Sequence, residues 1–353
     1  MALGISYEAL WFIVVVLLFT GYAVLDGFDF GAGAVHLFLR KDESRRIALN
    51  AIGPVWDGNQ VWLVIGGGAL FAGFPEAYAT LFSAFYVPFM LFLFLLILRA
   101  VAIEFRSKEE WPWWRRTWDV VYYSTSIGLA FSLGVVLGNV LQGLPLDADH
   151  VYRGSTLDFF NPFALLTGVA TLAACVLHGA LYLALKTDGR VFDRVAVLIR
   201  RAQVNWLVSF AALSVYGAVF LPEIGAPFTG DFDPEHPASG LGPFVLALPL
   251  AAVAAVAATP ALARRGRYRR AFIASGVSIV LLLATVALRM YPVLCESTLT
   301  PEGTLTVYNA AASELGLSYM LIVVAIGGPL VLGYTWFVYR TFRGKVVLGR
   351  ESY

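Results

Sequence analysis

Three aspartates, Asp26, Asp29 and Asp57, lie within or beside stretches built almost wholly from apolar side chains. An ionisable group inside such a stretch is costly unless it is paired, wetted or protonated, and it marks a functional position by default. Asp26 and Asp29 are three residues apart, so on a helix they share a face that Gly33 and His36 continue. Gly27, Gly31 and Gly33 allow a neighbouring helix to come close. In the second stretch Asn50, Asp57 and Gln60 fall on one helical face, with Asn59 beside them. Carboxyls joined to amides and open at one end form a path along which protons can be relayed. The plainer readings are a tight polar helix contact for Asp26 and Asp29, and a salt bridge to Arg45 or Arg46 for Asp57.

The elements that must hold these residues follow from composition. The chain has 353 residues, 59% hydrophobic and only 14% charged, with a mean hydropathy of +0.74. Average soluble domains carry about 25% charged residues, so an ordinary soluble enzyme is excluded. The net charge of +1 leaves no basic surplus for nucleic acid. Two cysteines, Cys175 and Cys295, do not make a disulfide framework or a four-ligand zinc site.

Apolar runs of about 20 residues predict transmembrane helices. Nine are expected, at 8–30, 51–73, 77–104, 119–142, 162–185, 203–222, 243–262, 271–293 and 316–340. The first lacks a basic leader and a cleavage site, so it is expected to remain as a span. Basic residues gather in alternate loops: Arg40–Arg46, Arg106–Arg116, Lys186–Arg201, Arg264–Arg270 and the tail from Arg340 to Arg350. The other loops contain only Arg153 among basic residues, and carry Glu76, Asp147, Asp149, Asp158, Glu223, Asp231, Asp233, Glu235, Glu296 and Glu302. This alternation is what the positive-inside rule requires. The expectation is one integral membrane domain over 1–353, an all-α polytopic protein with its N-terminus outside and its C-terminus cytoplasmic.

Asp29 and Asp57 then sit at similar depth on the cytoplasmic side. Asp57 is about 10 Å into its span at 1.5 Å per residue. Short connections join antiparallel neighbours, so the two acids are placed to converge. Arg99 and Glu104 near a span end read as snorkelling or paired. Arg289 reads as snorkelling, and Asp119 as a residue at a span end. His178 reads as a packing residue or as a haem ligand or relay. Trp56, Trp62 and Tyr86 read as interfacial belt residues or as contacts to a quinone or haem edge. Of four histidines, His150 and His236 are in outer loops, leaving His36 and His178 for any haem.

These segments resemble subunit II of the cytochrome bd family of quinol oxidases. The likeness rests on the run Gly21 to Gly31, Arg45-Arg46, the run Pro54 to Leu63, Gly67 to Ala72, Phe74-Pro75, Phe82 to Tyr86, Arg99 and Glu104-Phe105-Arg106. Later echoes are Gly138-Asn139, Gln142-Gly143, Asn161-Pro162-Phe163, His178-Gly179-Ala180 and Asn309-Ala310-Ala311. Region 295–316 departs from the family's pattern, which leaves that loop's contacts open.

The resemblance implies two four-helix bundles plus one peripheral helix. It implies a haem-bearing partner, subunit I, holding haems b558, b595 and d, with no metal ligated by this chain. Quinol and dioxygen would be substrates, in a bacterial cytoplasmic membrane. Small single-helix accessory subunits, membrane lipid and a bound quinone or lipid are compatible with it. Asp57 corresponds to an acid in the family's proposed proton channel, and Asp26 and Asp29 to its helix 1 acidic motif. The relay would be Asp29, Asp57 and Asp26, with Asn59 and Gln60 as neighbours. The rival readings from residues alone are a proton-coupled secondary transporter and a purely structural scaffold subunit. The transporter reading lacks the paired repeats such proteins usually show.

Overall fold

In the computed structural model the described residues, 6–221 and 243–349, are almost wholly helical. The expected sites Glu223, Asp231, Asp233, Glu235, His236 and Arg350 lie outside them. Helix α1 (Tyr7–Val35) begins where the Ser6 hydroxyl accepts from the Ala9 amide, an N-cap that satisfies an otherwise orphaned donor. It is followed by α2 (Asp42–Ile52), α3 (Trp56–Gly73), α4 (Pro75–Ala84), α5 (Tyr86–Phe105) and α6 (Pro112–Gln142). Then come α7 (Pro162–Lys186), α8 (Gly189–Phe220), α9 (Pro243–Arg264), α10 (Tyr268–Met290) and α11 (Glu314–Thr341). Among the described residues eight helices are long and apolar enough to cross a membrane: α1, α5, α6, α7, α8, α9, α10 and α11.

Two expected spans take a different form. The 51–73 segment does not run as one rod: α2 ends at Ile52 and α3 starts at Trp56. Pro54 has no N–H to continue the ladder. The remaining 18 residues of α3 open on Asp57, Asn59 and Gln60, which dilute its apolar character, and α3 is not among the eight. The 77–104 segment divides into α4 and α5 at Phe85. Pro88 cannot donate to the Ala84 carbonyl one turn back, so the helix breaks there. Helix α8 starts far ahead of its apolar run because Val191, Val195, Ile199 and Ala202 form a buried stripe at helical spacing. One departure from an all-helical chain is a short antiparallel pair, β1 (Val293–Cys295) with β2 (Leu305–Thr306).

Helix α1 packs against α3, α6, α7 and α10, while α7 also packs on α6, α8 and α10. The α1–α7 contact depends on glycine. A Cβ on Gly31 would strike the Cys175 carbonyl and the Gly179 backbone, and one on Gly179 would strike Gly31 and Ala32. Phe28 stacks on Tyr182 with ring centroids 4.0 Å apart in one buried cluster. A second cluster, around Trp11, Phe74, Phe85 and Leu146, closes the opposite end. Asp26 and Asp29 flank Phe28 on α1.

Candidate proton-relay site on helix α1

Asp26 and Asp29 are both 0% exposed. Arg99 of α5 meets Asp26 with both arms of its guanidinium, at 2.8 Å from Nη2 to Oδ1 and 3.3 Å from Nη1 to Oδ2. Arg99 is itself fully buried, and its Cζ lies 4.4 Å from the centre of the Phe30 ring. The cation thus has a carboxylate on one side and an aromatic face on the other, which offsets part of its lost hydration. Of the two readings for Arg99, snorkelling or pairing, the structure shows pairing. It turns inward, because an acid lies on the facing helix.

Asp29 has a different environment. Its Oδ2 accepts from Asn59 Nδ2 at 2.8 Å, and its Oδ1 has no hydrogen-bond partner in the protein. The same Asn59 nitrogen is 3.2 Å from the Leu25 carbonyl. Asn59 Oδ1 accepts from the Tyr339 hydroxyl of α11 at 2.9 Å. One amide therefore ties α1, α3 and α11 together. Gln60 is half-buried, and its Oε1 also has no partner.

Asp57 is exposed at the start of α3. The expected convergence of Asp29 and Asp57 is not seen. Asn59, two residues on, faces Asp29 instead, because the break at Pro54 sets the phase of α3. Of the two expected Asp57 partners, Arg45 and Arg46, the first is engaged elsewhere. It donates to the Leu39 carbonyl at 2.8 Å and to Asp119 Oδ2 at 2.9 Å.

Asp119 is the centre of a second polar cluster at the basic end of the molecule. Its Oδ1 receives His36 Nε2 at 2.5 Å and Arg106 Nε at 2.6 Å. Arg106 also donates to Asp42 at 2.6 Å, and Arg115 to Asp42 at 3.0 Å. His36 thus leaves the Asp26–Asp29 face and joins α1 to α6. Sequence reading missed this hub and missed Tyr339. The available signals were the run of opposite charges at 40–46 and 106–119, and a tyrosine near the basic end of the last helix.

Comparison with known proteins adds what geometry alone leaves open. Residues 7–342 match the protein family described as cytochrome bd terminal oxidase subunit II. The chain belongs to that family. The chain is 34% identical to the probable cytochrome oxidase subunit 2 of Haemophilus influenzae, over 97% of this chain and 96% of that protein. It is equally similar, at 34%, to the cytochrome bd-I ubiquinol oxidase subunit 2 of Escherichia coli K12 (97% and 96% covered). The Bacillus subtilis cytochrome bd ubiquinol oxidase subunit 2 is also 34% identical, with 97% of each chain covered. A chain in the structure of bd oxidase from Geobacillus thermodenitrificans shares the fold, with a TM-score of 0.75 at 22% identity over 95% of this chain and 98% of that one.

As a cytochrome bd subunit II, the chain is part of an oxidoreductase complex of the bacterial inner membrane and has a subunit I as partner. Haem ligation by this chain itself fits poorly. His178 holds Ser275 Oγ at 2.6 Å through Nδ1 and the Val24 carbonyl at 3.1 Å through Nε2. Its ring stacks on Phe272 at 4.4 Å. Both nitrogens are occupied, whereas an axial ligand must leave one of them for the iron. His36 is held by Asp119. Among the described residues there is no group of three His, Cys, Asp or Glu placed to hold a metal. Of the three aromatic candidates in this subunit, Trp56 is buried, Trp62 packs its ring against Gly21 and Tyr86 is exposed.

Proposed function

We propose that this chain supplies part of a proton path from the cytoplasm to the oxygen-reducing haem of subunit I. Asp29 is the buried relay group. Asn59 and Gln60 lead toward it, and Asp57 receives protons at the exposed start of α3. The observation that carries this reading is the asymmetry of Asp29, a wholly buried carboxyl with one oxygen hydrogen-bonded to Asn59 and the other without a protein partner. A buried polar atom left in that condition fits a bound water or a transferring proton.

On this reading haems b558, b595 and d belong to subunit I, quinol is oxidised there on the outer side, and dioxygen is reduced to water. Protons consumed from the cytoplasm separate charge without pumping. The chain would span nine times, with its N-terminus outside and C-terminus inside, α3 serving as the second span and α4 with α5 as the third. Two four-helix bundles, α1, α3, α5 and α6 with α7 to α10, accord with the helix neighbours, leaving α11 peripheral. Accessory single-helix subunits would sit on the lipid-facing helices. A quinone or lipid against Trp56, Trp62 or Tyr86 is the least supported element, since Tyr86 alone of the three is exposed.

The scaffold reading is favoured for Asp26 specifically, because both of its oxygens are committed to Arg99. The test is Asp29→Asn and Asp57→Asn in the co-expressed two-subunit oxidase. Oxygen uptake with quinol should fall while the visible haem spectrum is kept. Unchanged turnover ends the relay proposal. Loss of haem together with turnover makes the residue structural.

A further inference from the structure

A cleft of about 390 Å3 opens at the basic end of the molecule, between the last turn of α7, the turn joining α9 to α10, and the C-terminal tail. It falls in the size range of small-ligand sites. Gly266, Arg267, Tyr268, Arg269, Arg270 and Lys345 are among the residues lining it. Gly266 has a φ of 70°, a left-handed turn that leads into α10 with Arg267 at the N-cap and Arg269 and Arg270 in the first turn. The fourth cation is already engaged. Lys345 Nζ donates to the Ala184 and Thr187 carbonyls at 3.3 and 2.7 Å and lies 3.2 Å from the Asp188 carboxylate. Among the described residues the side chains of Arg267, Arg269 and Arg270 have neither an acidic partner nor a hydrogen-bond acceptor.

The same helix continues with a second, unlike surface. Ile273, Val277 and Val280 are exposed at spacings of four and three, on the face that follows Arg269 and Arg270 down α10. An unneutralised cationic cleft therefore stands directly above an apolar strip. That order matches a molecule with an anionic head and hydrocarbon tails. We infer that the cleft binds the headgroup of an anionic phospholipid, with its phosphodiester on Arg267, Arg269 and Arg270 and an acyl chain along Ile273, Val277 and Val280. Basic recesses between membrane helices are suited to such headgroups. The site requires only that the α9–α10 turn lie at a membrane face, so it stands apart from the proton path.

Arg264 and Arg265 provide an internal control. They are exposed in the same turn but do not line the cleft. The complete two-subunit oxidase, stripped of lipid in detergent, is titrated with phosphatidylglycerol and with phosphatidylcholine of the same chains, and bound lipid is counted by native mass spectrometry. Phosphatidylglycerol should be preferred. Each of Arg267→Gln, Arg269→Gln and Arg270→Gln should weaken it by roughly fivefold, the weight of one cation near an anionic surface. The pair Arg264→Gln and Arg265→Gln should leave binding unchanged, and inorganic phosphate should not displace the lipid. Oxygen uptake and the visible spectrum confirm that each variant is assembled. Unaltered binding in all three single variants overturns the site. Equal loss in the control pair reduces it to general surface charge. Complete displacement by inorganic phosphate makes it a free-anion site and not a lipid site.

Discussion

Arg99 and Asp26 form an ion pair in which neither side chain reaches solvent, although they stand 73 residues apart on different helices. Two charges so placed are each dependent on the other. Removing one partner of a buried pair leaves the other uncompensated and costs about 3–5 kcal/mol, whereas replacing both by apolar groups is often neutral. Arg99→Met or Asp26→Leu should therefore lower the melting temperature and yield of the oxidase sharply, and the double variant should recover most of the loss. Equal damage in the single and double variants would give the pair a role beyond mutual neutralisation.

Asn59 joins Asp29 to Tyr339. Asn59→Ala removes the hydrogen bonds to Asp29, to Tyr339 and to the Leu25 carbonyl, each contributing about 1 kcal/mol net, and Tyr339→Phe removes one. Oxygen uptake should fall further in Asn59→Ala than in Tyr339→Phe, with the haem spectrum preserved in both. If the order is reversed, the route passes through Tyr339 and not through the amide.

Glycine matters where backbones touch. Gly31→Ala would drive a methyl into the Cys175 carbonyl and the Gly179 backbone. Backbone cannot rotate away as a side chain can, so the cost should reach or exceed the roughly 1–3 kcal/mol of ordinary overpacking. Gly67 and Gly68 have open space where a Cβ would go, so alanine there should be tolerated by this chain. Thermal denaturation of the purified complex separates the two cases.

Cys295 lies outside the membrane-spanning helices and is 0% exposed. Burial, with the adjacent Glu296 carboxylate adding to it, pushes its thiol up to about 12. The thiolate is the reactive form, so a maleimide at pH 8 should leave Cys295 unmodified in the native complex and modify it after denaturation. Rapid native labelling would mean that the loop over β1 opens.

Asp147 accepts from the Val151 amide at 2.9 Å and from Arg153 Nε at 2.6 Å. The backbone hydrogen bond from Val151, with help from Arg153, holds its carboxyl below the ordinary value of 3.8. A depressed acid adds stability that is complete above its unfolded value and is lost as pH falls through the folded one. The turn around residues 144–153 should therefore loosen below about pH 4, seen as faster amide exchange at Asp149 and Val151. Asp147→Asn should show the loosened behaviour at every pH.

The membrane character of the chain was legible in its composition, and most helices followed from apolar runs alone. Two features escaped that reading for physical reasons. Helix interruptions at Pro54 and Pro88 shift the phase of the residues after them, so the face shared by Asn50, Asp57 and Gln60 on paper is not the face turned to Asp29. Long-range partners leave no local trace. Arg99 lies five residues from Glu104 in sequence, yet its charge is met by Asp26. His36 follows the spacing of Asp26 and Asp29, yet its partner is Asp119. Spacing ranks neighbours on one helix and says nothing of what the next helix offers.

Tyr339 reaches Asn59 across 280 positions of sequence, from α11 to α3. Synthesis delivers these residues in that order. Throughout most of translation Asn59 Oδ1 stands without the hydroxyl that will fill it, and the group beside Asp29 is only half held. Helix α11 therefore does more than cover a flank. Its arrival closes the polar unit beside Asp29, so a chain halted before residue 339 lacks that contact.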